Sequence, residues 1–334
     1  MKAVQVKEKG GDFHVVEIDK PSPEENEVLI KVEACGICHS DAFVKDGAFP
    51  GIEYPRVPGH EVVGIVEEVG SRVNNWKKGQ RVGVGWHGGH CFECEPCRRG
   101  DFISCENAKI SGISYDGGYA EFMTAPQEAV VSIPEDLSSA EAAPLLCAGI
   151  TVFNALRNSG ITAGDTVAVQ GIGGLGHLAI QYAAKMGMRT VAISTSDSKK
   201  ELAEELGAHH FINAKQKDAA KELQNMGGAK LILATAPNSE AITSVIGGLG
   251  IDGKLLMVAA TGDPIEVSPM ELLMGRKSVA GWPSGTAMDS EDTLKFSAMT
   301  GTKPKIEEFP LDKVSEAYDK MINNKARFRV VLKP

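Results

Sequence analysis

Long apolar runs are missing from this chain of 334 residues, and with them any helix of membrane-spanning length. A surplus of positive charge is missing too. Lysine and arginine number 35 against 44 aspartates and glutamates, a net charge of −9, whereas a nucleic-acid partner calls for the opposite balance. Cysteine is scarce, at seven residues, an odd count. The opening run Met1-Lys2-Ala3-Val4-Gln5-Val6 reads as a strand and not as a signal peptide. Odd thiols without a secretory leader argue for a reducing compartment, so a cytoplasmic protein is expected and a disulfide framework is not. Internal repeats and low-complexity segments are absent. The remainder is ordinary for a soluble globular protein, 43% hydrophobic and 24% charged. The length suits two domains better than one small core.

Scarce as they are, four of the seven cysteines fall in one window: Cys91, Cys94, Cys97 and Cys105, spaced C-x2-C-x2-C-x7-C. Polar and glycine-rich residues surround them, Gly88-Gly89-His90 before and Arg98-Arg99-Gly100 within. Four thiolates can enclose one Zn2+ as a tetrahedron, and a closed shell leaves no place for a substrate. This loop therefore reads as a structural metal site, and any chemistry must lie elsewhere.

The chain changes texture near its middle. Up to about residue 140, short β-branched runs (27–32, 62–69, 81–84) alternate with Gly/Pro turns and predict a β-rich barrel with long loops. From there an Ala-rich helix is expected over 141–159, then strand 166–170, helix 175–186, strand 190–194, helix 199–206 and strand 231–234. That alternation predicts an α/β fold with a parallel, doubly wound sheet. Helices near 290–299 and 315–323 and a last strand over 328–332 close the chain, and this tail is expected to return to the first domain.

Gly171-Ile172-Gly173-Gly174-Leu175-Gly176 follows one of those strands and opens the next helix. The G-x-G-x-x-G pattern alone is weak, but this strand-turn-helix setting is the one a dinucleotide needs. Glycines let the backbone approach the pyrophosphate, and the helix N-terminus offers it free N–H groups. The competing reading is a Gly-rich turn in a nucleotide-free domain. At the end of the second strand an NAD site usually carries an acid for the ribose hydroxyls. Here Ser194 stands in that place, followed by Thr195, Ser196, Asp197, Ser198, Lys199 and Lys200. Hydroxyls and cations suit a 2′-phosphate, so NADP(H) is favoured, with NAD(H) as the alternative. Ser198 and Glu201 could instead form a capping box for the next helix.

Three thiols remain. Cys35-Gly36-Ile37-Cys38-His39-Ser40-Asp41 ends a strand, Gly59-His60-Glu61 precedes another, and Cys147 sits just before the dinucleotide domain. Two thiolates and one imidazole form a three-ligand set with a fourth zinc position open. These residues span more than 100 positions, and the competing reading is inert core, the commoner setting of a buried Cys or His.

Taken together, the motifs resemble the zinc-dependent medium-chain alcohol dehydrogenases. Gly59-His60-Glu61-x2-Gly64-x5-Gly70-x2-Val73 matches that family's zinc signature, the cysteine loop its structural-zinc lobe, and the glycine loop its cofactor turn. The likeness covers essentially the whole chain. Residues 193–200 and the ending Lys325-Ala326-Arg327-Phe328-Arg329-Val330-Val331-Leu332 bring it nearest to the cinnamyl-alcohol-dehydrogenase and bacterial aldehyde-reductase branch. The resemblance implies a GroES-like β-barrel catalytic domain over 1–148 and 285–334, with a structural-zinc lobe over 88–107. It implies a Rossmann domain over 149–284. Two Zn2+ per chain are implied, one structural and one catalytic, the latter on Cys38, His60 and Cys147. Alcohol dehydrogenase is the standing example of a Cys2His catalytic zinc, so that ligand set comes with the resemblance.

The same resemblance implies roles for neighbours. Asp41 would orient the ligating imidazole, Glu61 would sit behind the metal, and Ser40 would take the alcohol proton. His39 and Arg329, with Arg327 as the register alternative, would touch the cofactor pyrophosphate. Thr151 and Leu175 would pack on the nicotinamide, and Phe49, Trp86 and Trp282 would line the substrate pocket or serve as ordinary core. One position departs from the family: Phe43 stands where a histidine often closes the proton relay. Cys35, His87, His90, His209 and His210 receive no role. The expected activity is interconversion of primary alcohols and aldehydes, favouring aldehyde reduction, in a homodimer or homotetramer. A polyol or secondary-alcohol dehydrogenase on the same fold is the alternative, and a nucleotide-binding protein without turnover is the rival of another class.

Overall fold

The strand Glu27–Ile37 organises the first half of the protein, because it is long enough to pair with three neighbours at once. It runs antiparallel to Val62–Val69, to Phe122–Pro126 and to the final strand Arg329–Lys333. Val62–Val69 passes the sheet on to Arg81–Val84, and that strand to Val130–Ser132. The computed structural model describes residues 1–334 and divides them into two compact units, Met1–Ile150 with Gly285–Pro334, and Thr151–Ser284. In the first unit Val28, Ile30, Val32, Val62, Val66, Val82, Val84, Met123, Val330 and Leu332 share one core. Burial of each such side chain contributes about 1.5–3 kcal/mol.

In the second unit six parallel strands lie in the order His210–Asn213, Arg189–Ser194, Thr166–Gln170, Ala229–Ala234, Leu249–Met257 and Ser278–Gly281. The central strands are apolar throughout, as strands covered on both faces must be: Val167, Ala168, Val169, Leu231, Ile232 and Leu233 are fully buried. By chain order within the unit this is 3-2-1-4-5-6, the doubly wound arrangement. Strand order reverses beside Thr166–Gln170, and the glycine loop leaves that strand's carboxyl end, where such sheets bind ligands.

The helix expected over 141–159 is broken in the structure. Ser138 and Glu141 cap a short helix Ser139–Ala142, a 3-10 turn Ala143–Leu146 comes next, and a new helix runs Ala148–Asn158. Pro144 lacks the N–H a continuous helix needs and its ring crowds the preceding turn. Cys147 falls in the break, with φ −129° and ψ −71°. No single helix is long and apolar enough to cross a membrane.

Candidate active site and metal centres

Cys38 and His60 meet because of strand register. Cys35 pairs with Val62, and the Gly36 N–H donates to the Glu61 carbonyl at 2.9 Å, so residues just beyond each strand end face each other. Cys147 reaches the same place by close packing. A Cβ on Gly85 would lie 2.5 Å from the Leu146 carbonyl oxygen, and one on Gly83 2.7 Å from Leu146 Cδ1, so only glycines let this turn approach so closely. Ligand atoms of Cys38, His60, Glu61 and Cys147 all lie within 4.8 Å of one another. The two sulfurs are 3.7 Å apart.

The imidazole of His60 is buried, and its two nitrogens differ. Nδ1 lies 3.2 Å from Asp41 Oδ1, whereas Nε2 has no hydrogen-bond partner. A buried nitrogen without a partner costs free energy unless something fills the place. With Nδ1 given to a carboxylate and Nε2 left beside two thiols, the donor set fits a metal ion. Asp41, also buried, accepts two further bonds at Oδ2, from the Cys38 N–H at 2.8 Å and the Tyr119 hydroxyl at 2.9 Å.

Charge in this cluster is heavily coupled. The hydrogen bond from Cys147, with His60 and Arg329 nearby, holds the Cys38 thiol well below its ordinary range despite burial. Cys147, as that donor and buried beside Cys38, is pushed well above it. Burial works against a charged His60, but Asp41 and Cys38 outweigh it and raise the imidazole. Burial drives Glu61 up to about 7 against the pull of Arg329, with which it forms a buried ion pair. The pair is made through Glu61 Oε1 and an Arg329 Nη, and Glu61 Oε2 and Arg329 Nε make no hydrogen bond.

Ser40 starts the helix Asp41–Asp46, yet its side chain makes no capping bond; its N–H lies 3.4 Å from Cys38 Sγ. His39 is exposed. Trp86 stands edge-on to His60, ring centroids 5.0 Å apart, and Phe49 is edge-on to Trp86 at 6.4 Å. Phe43 joins this group through Phe49, also at 6.4 Å. Trp86 thus packs on the metal-binding set, and Phe49 and Phe43 extend the aromatic row from it. Trp282 belongs to the other unit, just past the strand Ser278–Gly281. The guanidinium of Arg327 bonds the carbonyls of Asn324 and Ala326, so Arg329 is the arginine that faces the site.

In the cysteine loop, ligand atoms of Cys91, Cys94, Cys97 and Cys105 likewise lie within 4.8 Å. Backbone N–H groups of Cys91, Cys94 and Asn107 point at sulfurs from 3.3–3.4 Å, which favours thiolates. Such bonds draw Cys91 down to about 6, whereas burial pushes Cys97 up to about 12. The short strands His87–Gly89 and Lys109–Ile110 pair at the base of the loop. His87 and His90 hydrogen-bond each other at 3.2 Å.

The glycine loop divides its tasks by residue. Gly171 has φ +94°, and a Cβ on Gly176 would stand 1.9 Å from the Gly171 carbonyl oxygen. A Cβ on Gly173 would meet nothing within 4 Å. The turn and the packing therefore fix the outer glycines, while the middle one faces open space where a pyrophosphate fits. Gly174 and Leu175 complete the loop before the helix Gly176–Lys185, and Thr151 lies buried in the same unit. Lys199 donates to the Ile172 carbonyl at 2.7 Å, which brings its ammonium onto the loop. Ser194 is buried at the strand end, and beyond Thr195 the Ser196 hydroxyl contacts Ser198 Oγ at 2.8 Å. Asp197 accepts from Gln216 at 2.6 Å. Ser196, not Ser198, caps the short turn Asp197–Lys199.

Sequence reasoning misses Tyr119 and the reason for Gly36. A Cβ on Gly36 would sit 1.9 Å from Glu61 Oε2, so the glycine makes room for that carboxylate. Tyr119 follows Gly117 and Gly118 in a loop, and a single sequence carries no sign of which carboxylate its hydroxyl meets.

Two family profiles match the chain, the alcohol dehydrogenase GroES-like domain over residues 24–135 and the zinc-binding dehydrogenase over 174–299. The alcohol dehydrogenase patD of Penicillium expansum is 48% identical over 326 residues, 98% of this chain and 95% of that protein. Among solved structures, the cinnamyl alcohol dehydrogenase of Sorghum bicolor is 31% identical with a TM-score of 0.90, covering 99% of this chain and 97% of that one. The cinnamyl alcohol dehydrogenase of Helicobacter pylori, solved with NADP(H), is 28% identical with a TM-score of 0.88 over 99% and 97% of the two chains.

Proposed function

Because the chain belongs to the zinc-dependent medium-chain alcohol dehydrogenase family, we propose that it works chiefly as an aldehyde reductase with NADPH. It is an NAD(P)-dependent oxidoreductase that interconverts alcohols and aldehydes. Cys38, His60 and Cys147 are the ligands of a catalytic zinc. Cys91, Cys94, Cys97 and Cys105 hold a structural zinc. The single observation that carries this reading is His60, whose Nδ1 is committed to Asp41 while a buried, unpartnered Nε2 adjoins two thiols.

When bound, zinc acts as a Lewis acid toward the substrate oxygen, and the nicotinamide carries the hydride. Everything else falls to the chain. Residues 1–148 and 285–334 form the catalytic domain, and 149–284 hold the dinucleotide. Asp41 fixes the imidazole of His60. Ser40, whose hydroxyl is not spent on helix capping, gives the proton to the nascent alcohol or takes it in reverse. Phe43 offers no base, so the relay beyond Ser40 ends at a ribose hydroxyl and water. Trp86 presents apolar surface beside His60 and Phe49 packs edge-on to Trp86, which favours aliphatic or aromatic substrates over polyols. Trp282 serves the substrate, with Thr151 and Leu175 against the nicotinamide. His39 and Arg329 serve the pyrophosphate.

Support for NADPH comes from the Ser194 to Lys199 run, in which the one carboxylate, Asp197, is turned to Gln216. The NADP(H) complex of the Helicobacter pylori relative points the same way. Seven cysteines outside any disulfide, six of them assigned to metal, suit a cytoplasmic protein. A homodimer or homotetramer is supported by the unpaired outer edge of Ser278–Gly281 and by exposed Met270, Leu273 and Met274 nearby in sequence. The deciding experiment measures initial rates with NADPH and NADH across aliphatic and benzylic aldehydes, before and after chelation. A clear NADH preference, or activity that survives both chelation and Cys38→Ser, would sink the reading. Light scattering on the purified protein tests the assembly, and a monomer would refute it.

A further inference from the structure

Tyr119 holds two neighbours of the metal-binding set, Asp41 behind His60 and the Pro58-Gly59 backbone before it. Its side chain is fully buried, and its hydroxyl donates to Asp41 Oδ2 at 2.9 Å. Its backbone N–H donates to the Pro58 carbonyl at 3.0 Å, beside Gly118 N–H on the Gly59 carbonyl at 3.0 Å. These bonds pin the loop that delivers His60. The ring fills the space at Gly59, where a Cβ would come within 2.5 Å of Tyr119 Cδ1. One residue therefore holds both the carboxylate behind the imidazole and the backbone just before it.

Asp41 can orient His60 only if its own carboxylate is held still. Oδ1 faces His60 Nδ1 at 3.2 Å, and Oδ2 is fixed by two donors, the Cys38 N–H at 2.8 Å and the Tyr119 hydroxyl. The Cys38 amide cannot leave, because it is the backbone of a ligand residue itself. The tyrosine is thus the one side chain that holds Oδ2, the oxygen turned away from His60. We propose that Tyr119 is a positioning residue of the three-ligand metal site, acting through Asp41 to fix the ring orientation of His60 and so the hold on the ion. The proposal rests on the reading that Cys38, His60 and Cys147 bind metal. Partners in this outer layer commonly change metal affinity by about 10–100-fold.

The test uses full-length, metal-loaded protein: wild type, Tyr119→Phe, Asp41→Asn and the double variant. Release of both metals to a chromogenic chelator is followed in time, with metal content counted beforehand. Cobalt placed at the three-ligand site supplies an absorption spectrum that reports ligand geometry. Tyr119→Phe keeps the ring on Gly59, and melting curves verify that it folds. The expected result is release about tenfold faster from the three-ligand site, no change at the four-cysteine loop, and shifted cobalt bands. In the Asp41→Asn background the tyrosine change should add little, since both act on one carboxylate. Wild-type release and an unaltered cobalt spectrum in Tyr119→Phe would overturn the inference. So would a full additional tenfold in the double variant, which would mean the effect travels through the fold. A wild-type protein that loads only the four-cysteine loop would instead overturn the reading of the site itself.

Discussion

Arg329 and Glu61 lie 268 residues apart in sequence and meet in an ion pair buried beside the metal-binding set. The final strand carries one and the loop before Val62–Val69 the other, so the pair ties the chain's end to the site. Burial opposes the charge of both partners. Without the arginine, Glu61 would be a buried carboxylate next to two thiols that has lost its ion-pair partner. Removing one partner of such a pair typically costs about 3–5 kcal/mol, whereas replacing both by apolar groups is often neutral. Arg329→Met should therefore lower the melting temperature markedly, and Glu61→Leu combined with it should restore most of the loss. Equal melting of the single and double variants would show that the pair is not what holds this corner.

The glycine loop gives a cleaner separation of stability from binding. In Gly176→Ala the new methyl would meet the Gly171 carbonyl oxygen at 1.9 Å, backbone that cannot easily move. Overpacking of this kind costs about 1–3 kcal/mol or more, so this variant should melt early. Gly173→Ala meets no protein atom, and should melt like the wild type while binding dinucleotide about tenfold more weakly, a loss of about 1.4 kcal/mol. Differential scanning beside cofactor titration checks both. Unimpaired cofactor binding in Gly173→Ala would remove the pyrophosphate from that loop.

Much of the fold is legible in the residues. Strands Val62–Val69, Arg81–Val84 and Thr166–Gln170 fall where alternation or an unbroken apolar run predicts them. The helical period of 141–159 is real but conceals a break at Cys147, because apolar spacing does not register the effect of one proline on the next turn. The four-cysteine loop is local, so spacing suffices for it. Cys38, His60 and Cys147 are brought together only by sheet register and by glycines under Leu146, neither visible in a single chain. Tyr119 and the room at Gly36 need coordinates, since their partners lie far off in sequence.

Acid should expose the histidines at the base of the cysteine loop. Burial, with His90 alongside and Asp289 opposing, pushes His87 down to about 4. An unfolded histidine titrates near 6.5. The unfolded chain therefore takes up a proton first, and the stabilising contribution is fully present above about pH 6.5. It is lost as pH falls from there toward about 4, by on the order of 3 kcal/mol in all. Melting temperatures of wild type and His87→Gln should converge or cross as pH drops from 7 to 4.5. Parallel curves over that range would mean that His87 does not titrate with unfolding.

The cysteine loop makes a prediction about what it does not do. Its four thiols close on one another and leave no position for a substrate, so losing one should weaken the fold before it slows turnover. Cys97→Ser should melt earlier and lose metal from the loop, with the surviving folded fraction near wild-type kcat. A normal melting curve with collapsed kcat would contradict this assignment.

Lys199 is the residue expected to decide between the two dinucleotides. Its ammonium lies on the Ile172 carbonyl at 2.7 Å, close to the loop that receives the pyrophosphate. A hydrogen bond from a charged donor is worth about 1.5–3 kcal/mol, or roughly 10–100-fold in affinity. NADPH offers a 2′-phosphate to that charge, whereas NADH offers only a hydroxyl. Lys199→Ala should therefore lower kcat/KM with NADPH by about tenfold or more and leave the value with NADH nearly unchanged. The loss should also shrink as salt rises, because screening weakens an exposed phosphate contact in the wild type. Equal losses with both cofactors would assign the lysine to the glycine loop's own structure and leave Ser194 and its neighbours as the only basis for the preference.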